Sequence, residues 1–377
     1  MTASQFRGPL KVSVRVITYN HGAFIRQALD SVLAQRVDFR SELVIGDDCS
    51  TDGTRDIILE YQRRHPERIR VLLSERRFGG RRNFVRTLQA CQGEYVALLD
   101  GDDYWTSTDK LQSQVDFLDS RRDYAIVFHD ALVVYEDGER GSHRYCEPDQ
   151  PQTSSMIDLL RGNFIPACST MFRRSGEKVP EWLHESLFGD WPLHILNARR
   201  GKIGYSNKVM GVYRIHGGGL SHSWTNEQYF AGTATILAHV RDELDASYEP
   251  VLRGTLSRLW LDVFFPTDQL DHHLLAPAKM QAALEHWPSK FPLEGLQRRQ
   301  LLAAACVRVA RASIRAGDRL QAGAWLMRAM QYDYASVRRW GFWSLAAKAC
   351  AGRRPAEWLR RGARHAVHVS KSRWDSR

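Results

Sequence analysis

Apolar, β-branched runs alternate with helical patterns through the first third of the chain, and this alternation limits the fold more than any other feature. Val12–Thr18 (VSVRVIT) reads as a strand. Ile25, Ala28, Leu29, Val32 and Leu33 then recur at helical spacing on one stripe. Leu43–Ile45 is a short strand running into Gly46-Asp47-Asp48, and Ser50–Thr54 carries turn and N-cap chemistry. That segment opens a helix to about Arg64, closed by Pro66. Strands follow at Ile69–Leu73, Tyr95–Leu99 and Tyr124–Val134, separated by helices over about Arg82–Cys91 and Lys110–Asp119. Strict alternation predicts a mostly parallel sheet with helices on both faces. Ligands of such sheets sit beyond the carboxyl ends of the strands. Asp47-Asp48 and Asp100/Asp102/Asp103 fall at two of those ends, so separate strands aim carboxylates at one crevice.

Gly138–Gln152 reads as a polar, irregular excursion, and short elements surround Gly189-Asp190-Trp191 and Tyr213–His216. From about Thr225 onward the pattern is helical, with Ile314–Asp333 resembling a helix–turn–helix. A length of 377 residues suits two domains, at about 100–200 residues each. We place them at 1–225 and 226–377. No apolar run approaches the roughly 18–20 residues that span a bilayer, and Met1–Lys11 has no secretory pattern. The expected location is the cytoplasm. Cys49, Cys91, Cys146, Cys168, Cys306 and Cys350 are scattered without a CxxC pair, which suits free thiols and not a zinc site. The net charge of +10 is lopsided: Leu301–Arg377 holds sixteen Lys/Arg against four Asp/Glu, and the rest of the chain is nearly neutral.

Four segments carry candidate chemistry. Asp100-Gly101-Asp102-Asp103 crowds carboxylates that repel one another unless a cation joins them; Mg²⁺ and Mn²⁺ take such oxygens together with phosphates. A solvated acidic turn is the alternative. Asp47–Thr54 (DDCSTDGT) offers carboxylates to a nucleobase or ribose, or caps the next helix. Thr18-Tyr19-Asn20-His21 ends the first strand, as pocket lining or ordinary loop. Gly79-Gly80-Arg81-Arg82-Asn83 opens a helix whose free N–H groups and cations suit a diphosphate.

Taken in order, VSVRVITYN, ELVIGDDCSTDGT, FGGRRNF and GEYVALLDGDD resemble the family 2 glycosyltransferases over about Leu10–Ser221. GDW at Gly189–Trp191 and YRIHGGGLS at Tyr213–Ser221 match that family's acceptor side less strictly. The resemblance implies an α/β GT-A fold, a doubly wound mixed sheet, with a helical C-terminal extension. It also implies that Thr18, Tyr19 and Asn20 contact the nucleoside and that Asp48, beside Asp47, binds the base. Gly79 and Arg82 would lie near the diphosphate and Asp100 near the ribose or metal. Asp102, with Asp103 close by, would ligate Mn²⁺ or Mg²⁺, His216 would assist, and Asp190 would be the general base. The reaction it implies is an inverting transfer from a nucleotide-sugar, UDP-linked by default, to a carbohydrate or lipid-linked hydroxyl. Two departures stand out: Gly189 occupies a position where an acid often precedes the base, and arginines replace the usual residues in FGGRR.

The basic tail interleaves Trp325, Trp340, Trp343, Trp358 and Trp374 with arginines. That pattern suits peripheral contact with an anionic membrane, or a packed bundle with snorkelling arginines; no motif for nucleic acid accompanies it. Two rival functions remain open at this point. A sugar nucleotidyltransferase lacks support because Tyr19-Asn20-His21 stands where its glycine-rich loop would be. A non-catalytic nucleotide- or carbohydrate-binding protein would have no need of Asp100, Asp102 and Asp190 together.

Overall fold

The computed structural model describes residues 8–219, 224–266, 277–339 and 342–349. Two compact units emerge: residues up to Trp224 together with His239–Val251, and Thr225–Ala238 together with the chain from Leu252.

The first unit is built on a ten-stranded sheet. In chain order its elements are β1 (Leu10–Thr18), α1 (Ile25–Leu33), β2 (Arg40–Asp47), α2 (Thr54–Arg64), β3 (Ile69–Leu72), α3 (Gly80–Ala90), β4 (Tyr95–Asp100) and β5 (Tyr104–Trp105). They continue with α4 (Lys110–Ser120), β6 (Tyr124–Tyr135), β7 (His143–Arg144), β8 (Thr153–Ser154), α5 (Met156–Arg161), β9 (Met171–Arg173), α6 (Asp190–Ala198) and β10 (Lys202–Ile215). The main order is β3-β2-β1-β4-β9-β6-β10-β5. β1 runs parallel to both β2 and β4, β2 to β3, and β6 to β10. The short β9 lies antiparallel between β4 and β6 and joins the two parallel halves. The sheet is therefore mixed. The chain leaves β1 toward β2 and β3, then returns to place β4 on the other flank of β1. This is the switch point at which doubly wound sheets bind ligands.

β1 is covered on both faces, as parallel strands usually are. Val12, Val14 and Val16 share one core with Ile25, Ala28, Leu29 and Val32 of α1. On the opposite face Ser13 and Arg15 are fully buried, and the Arg15 guanidinium stacks 4.3 Å from the Phe84 ring of α3.

Lys110, the first residue of α4, is also fully buried, with its ammonium 3.9 Å from the Trp105 ring and no hydrogen-bond partner. Burial pushes its pKa down to about 7 from 10.5. The unfolded chain keeps this proton to higher pH than the folded protein does, so stability rises with pH between those two values. Lys110→Met is expected to raise the melting temperature at pH 7 and to flatten its rise toward pH 9. A variant as pH-dependent as the parent would exclude Lys110 as the source.

The second unit takes in parts of α7 (Asn226–Glu243) and α8 (Glu249–Phe264), then α9 (Pro277–Glu285), α10 (Gly295–Arg315), α11 (Arg319–Arg339) and α12 (Phe342–Ala349). α10 starts on a capping box between Glu294 and Gln297. Gly317, at φ +81°, turns the chain into α11, so the helix–turn–helix read at Ile314–Asp333 is present. Trp325 is buried. Trp340, Trp358 and Trp374, and the side chain of Trp343, lie outside the described residues.

Candidate active site

The register of the parallel strands assembles the site. Thr18 pairs with Asp47, and Ile17 with Asp100, so the ends of β2, β1 and β4 form one row. Beyond Thr18, Tyr19 lies beneath the Arg77 guanidinium at 4.0 Å. Asn20 takes a left-handed φ of 54°; its N–H donates to Ser50 Oγ and its Oδ1 accepts from Thr51 N–H, both at 2.9 Å. These bonds tie the loop after β1 to the loop after β2.

The acids of that second loop divide their work. Asp52 accepts from Gly22 N–H (2.8 Å), Thr54 N–H (3.1 Å) and the Thr54 hydroxyl (2.6 Å), the helix-starting role read from its surroundings. Asp47 is fully buried and ion-paired with Arg55 at 3.1 Å. Asp48, also buried, accepts from Phe78 N–H at 2.7 Å and Gly79 N–H at 3.0 Å. A buried carboxylate must be paired. Here the chain pairs both itself: Asp47 anchors α2, and Asp48 holds the loop that leads into α3 through Gly79. Gly79 itself adopts φ +89°, which favours glycine there.

The turn after β4 gathers several acids and imidazoles. Asp100 Oδ1 sits 3.4 Å from Arg15 Nη1. Asp102 Oδ2 lies 3.1 Å from His216 Nε2 and 3.7 Å from His21 Nε2. Burial raises the Asp102 pKa, but the His216 hydrogen bond and nearby His21 outweigh it and hold the carboxyl below its ordinary range. The same bond raises the His216 pKa against a smaller effect of burial. One potential ligand atom each from His21, Asp102 and His216 lies within 4.8 Å of the others. Asp103, expected in this group, is not part of it. Its carboxylate is buried and accepts the Arg214 N–H at 2.8 Å, which locks the turn to β10. Burial first, then Asp102 and Asp100, push the Asp103 pKa well up. His21 lies beside Asp102 and His216 instead. The signal for it was its position three residues past the end of β1, which becomes meaningful once β1 and β4 are known to be neighbours.

Asp190 opens α6 across the crevice, and Asn163 Nδ2 donates to its Oδ2 at 3.2 Å. Two arginines feel the charge of both Asp190 and Asp100. Burial lowers the pKa of both Arg15 and Arg81, while Asp100 and Asp190 act on both in the opposite direction. Both carboxylates thus favour the charged form of both guanidiniums. Arg82, expected near the diphosphate, is exposed, and its neighbour Arg81 is the one turned toward these acids. Adjacent helix positions differ by about 100° in direction, so only the packing of α3 decides between them. Arg15 had a visible signal, an arginine inside an apolar strand.

Gly189 has a steric reason. A Cβ there would lie 2.8–3.0 Å from three atoms of the Phe84 ring. Overpacking of this kind costs about 1–3 kcal/mol. Gly189→Ala is expected to lower the melting temperature, and Phe84→Leu in the same chain to recover part of the loss. An unchanged melt for Gly189→Ala would show that α6 does not begin against Phe84.

This mixed sheet, with acids and imidazoles gathered at the β1/β4 switch, has a fold of the GT-A type. Residues 13–179 match the sequence model of glycosyl transferase family 2. It is 39% identical over 222 residues to Rv1520 of Mycobacterium tuberculosis, covering 58% of this chain and 63% of that protein. It is 36% identical over 168 residues to the dTDP-rhamnosyl transferase RfbG of Shigella flexneri, covering 42% and 53%. The chain thus spans less than two thirds of these relatives. S. aureus TarS, residues 1–349 solved with UDP-GlcNAc, shares the fold at TM-score 0.54 and 19% identity, over 88% of this chain and 92% of that one.

Proposed function

We propose that this protein is an inverting glycosyltransferase that moves a sugar from a nucleoside diphosphate to a hydroxyl of a carbohydrate or lipid-linked acceptor. The observation that carries the reading is the placement of the Asp102–His216 pair and Asp190 around the Asp100–Arg15 contact at the carboxyl ends of β1 and β4. A divalent cation held by Asp102 and His216 would supply counter-charge for the leaving diphosphate. The chain's own residues do the rest. Asp190 takes the proton from the acceptor hydroxyl as its oxygen bonds to the anomeric carbon and the bond to the diphosphate breaks. A positioned base of this kind is worth about 10²–10⁴ in rate. Asn163 orients Asp190 through its hydrogen bond. Arg15 and Arg81 offset the charge that Asp190 and Asp100 would otherwise concentrate. Asp48 and Asn20 shape the nucleoside side indirectly, through the loops they fasten.

UDP is the first donor nucleotide to test, by family resemblance, and dTDP, named for RfbG, the second. Thermal-shift measurements with UDP, dTDP and GDP, each with and without Mn²⁺, test the reading, because selective binding raises apparent stability. One nucleotide stabilising the protein in a cation-dependent way is the expected result. No shift with any of them removes the proposal.

We place the protein in the cytoplasm, with its basic C-terminal region on the inner face of an anionic membrane. Among the described residues no helix is long and apolar enough to cross a membrane. Each basic residue near such a surface contributes about 1 kcal/mol, screened by salt. The full chain should therefore co-sediment with anionic vesicles at low salt and be released at high salt. If it stays in the supernatant at low salt, the region is a packed bundle and the membrane assignment fails.

A further inference from the structure

We propose that His21 is a third protein ligand in the cation site, and that two imidazoles with one carboxylate make the site selective for a divalent first-row transition ion over Mg²⁺. The inference rests on the glycosyltransferase reading for the purpose of the ion, while its geometry is independent of that reading.

Three separate parts of the chain supply the ligands: the loop after β1, the turn after β4 and the residue after β10. Their ligand atoms lie within 4.8 Å of one another, with both imidazole Nε2 atoms directed at the same oxygen, Asp102 Oδ2. Metal–ligand bonds of about 2.0–2.2 Å bring ligand atoms to within roughly 4.4 Å of each other. A movement of a few tenths of an ångström closes this set around one ion. Three protein ligands leave positions open for diphosphate oxygens.

His21 is held for this purpose. Its carbonyl accepts from Phe24 N–H at 2.9 Å and Ile25 N–H at 2.8 Å, which fixes it at the start of α1. Its Nδ1 is buried without a hydrogen-bond partner and faces Gly101. A Cβ at residue 101 would lie 2.9 Å from that nitrogen and 2.8 Å from Thr18 Oγ1. Glycine between Asp100 and Asp102 is therefore what admits the His21 ring beside the carboxylate, with Nε2 turned inward. On the other side, Phe24 packs against the His216 ring at 4.8 Å.

The donor set decides the ion. Mg²⁺ keeps oxygen ligands and its own waters and seldom accepts imidazole nitrogen. Two imidazoles and a carboxylate suit first-row transition ions. An acidic turn alone would have accepted either. The competing account is a metal-free hydrogen-bonded trio, in which the two histidines merely neutralise Asp102.

Mn²⁺ bound to the full-length protein, with and without UDP, is the probe, and electron spin-echo modulation counts the imidazole nitrogens coupled to it. Two coupled imidazoles are expected in the parent and one in His21→Ala. His21→Ala should also bind Mn²⁺ at least tenfold more weakly. A hundredfold excess of Mg²⁺ should leave Mn²⁺ in place in the parent and displace it from the variant. One imidazole or none in the parent overturns the proposal, and this count needs no variant to fold. So does displacement of Mn²⁺ by equimolar Mg²⁺. Failure of UDP, dTDP and GDP alike to bind under every cation condition would instead sink the glycosyltransferase reading, whatever the imidazole count.

Discussion

Asp190→Asn should keep donor binding and lose turnover by a factor of about 10²–10⁴. The amide is nearly the size of the carboxylate but cannot take a proton at neutral pH. Asn163 donates to Asp190 Oδ2, and an amide oxygen at the same place can accept that bond. The start of α6 should also stay in place, because it rests on Gly189 against Phe84 and not on the Asp190 side chain. Steady-state kinetics separate the roles: a loss in kcat with little change in donor affinity identifies the group that acts on the acceptor. If the variant loses donor affinity and keeps its kcat, Asp190 belongs to the donor pocket and the base lies elsewhere.

Asp102→Ala should lower transfer by on the order of 10³ or more, since counter-charge on a leaving diphosphate is worth several kcal/mol. It should also abolish the part of nucleotide binding that depends on Mn²⁺. The fold should survive, because what fastens the turn is independent of this side chain. Arg214 Nη1 donates to the Asp102 carbonyl at 2.6 Å, and Arg214 N–H donates to Asp103 at 2.8 Å. Circular dichroism and a nucleotide titration with and without Mn²⁺ check both halves. Normal turnover in the variant, or full activity of the parent in EDTA, would exclude a metal role for Asp102.

These two acids differ in how openly the sequence announces them. Asp102 follows a five-residue apolar run and is flanked by acids, so a strand end with cation chemistry can be read directly. Asp190 sits among short elements, and only its resemblance to a family pattern marked it. Its partner Asn163 and its neighbours Arg15 and Arg81 come from the segment after α5, from β1 and from α3, which no local pattern connects. β10 shows the same limit. It runs for fourteen residues, Lys202–Ile215, yet its alternation is interrupted by Ser206-Asn207-Lys208, where its pairing with β6 shifts register. Short β9 has only three residues. Neither is long or regular enough to stand out before its sheet partners are known.

Local pattern alone determined the main strands and helices through Val134 apart from the two-residue β5, the loops where polar side chains collect, and the turn between α10 and α11, because these depend on near neighbours in the chain. The tertiary structure decided which side chain at each loop faces the crevice. Satisfaction of buried charge turned Asp47 to Arg55, Asp48 to the amides of Phe78 and Gly79, and Asp103 to Arg214. Helix packing chose Arg81 over Arg82. The adjacency of β1 and β4 brought His21 to Asp102 from eighty-one residues away. Each of these outcomes depends on contacts between residues far apart in the chain, and those contacts exist only once the sheet has formed.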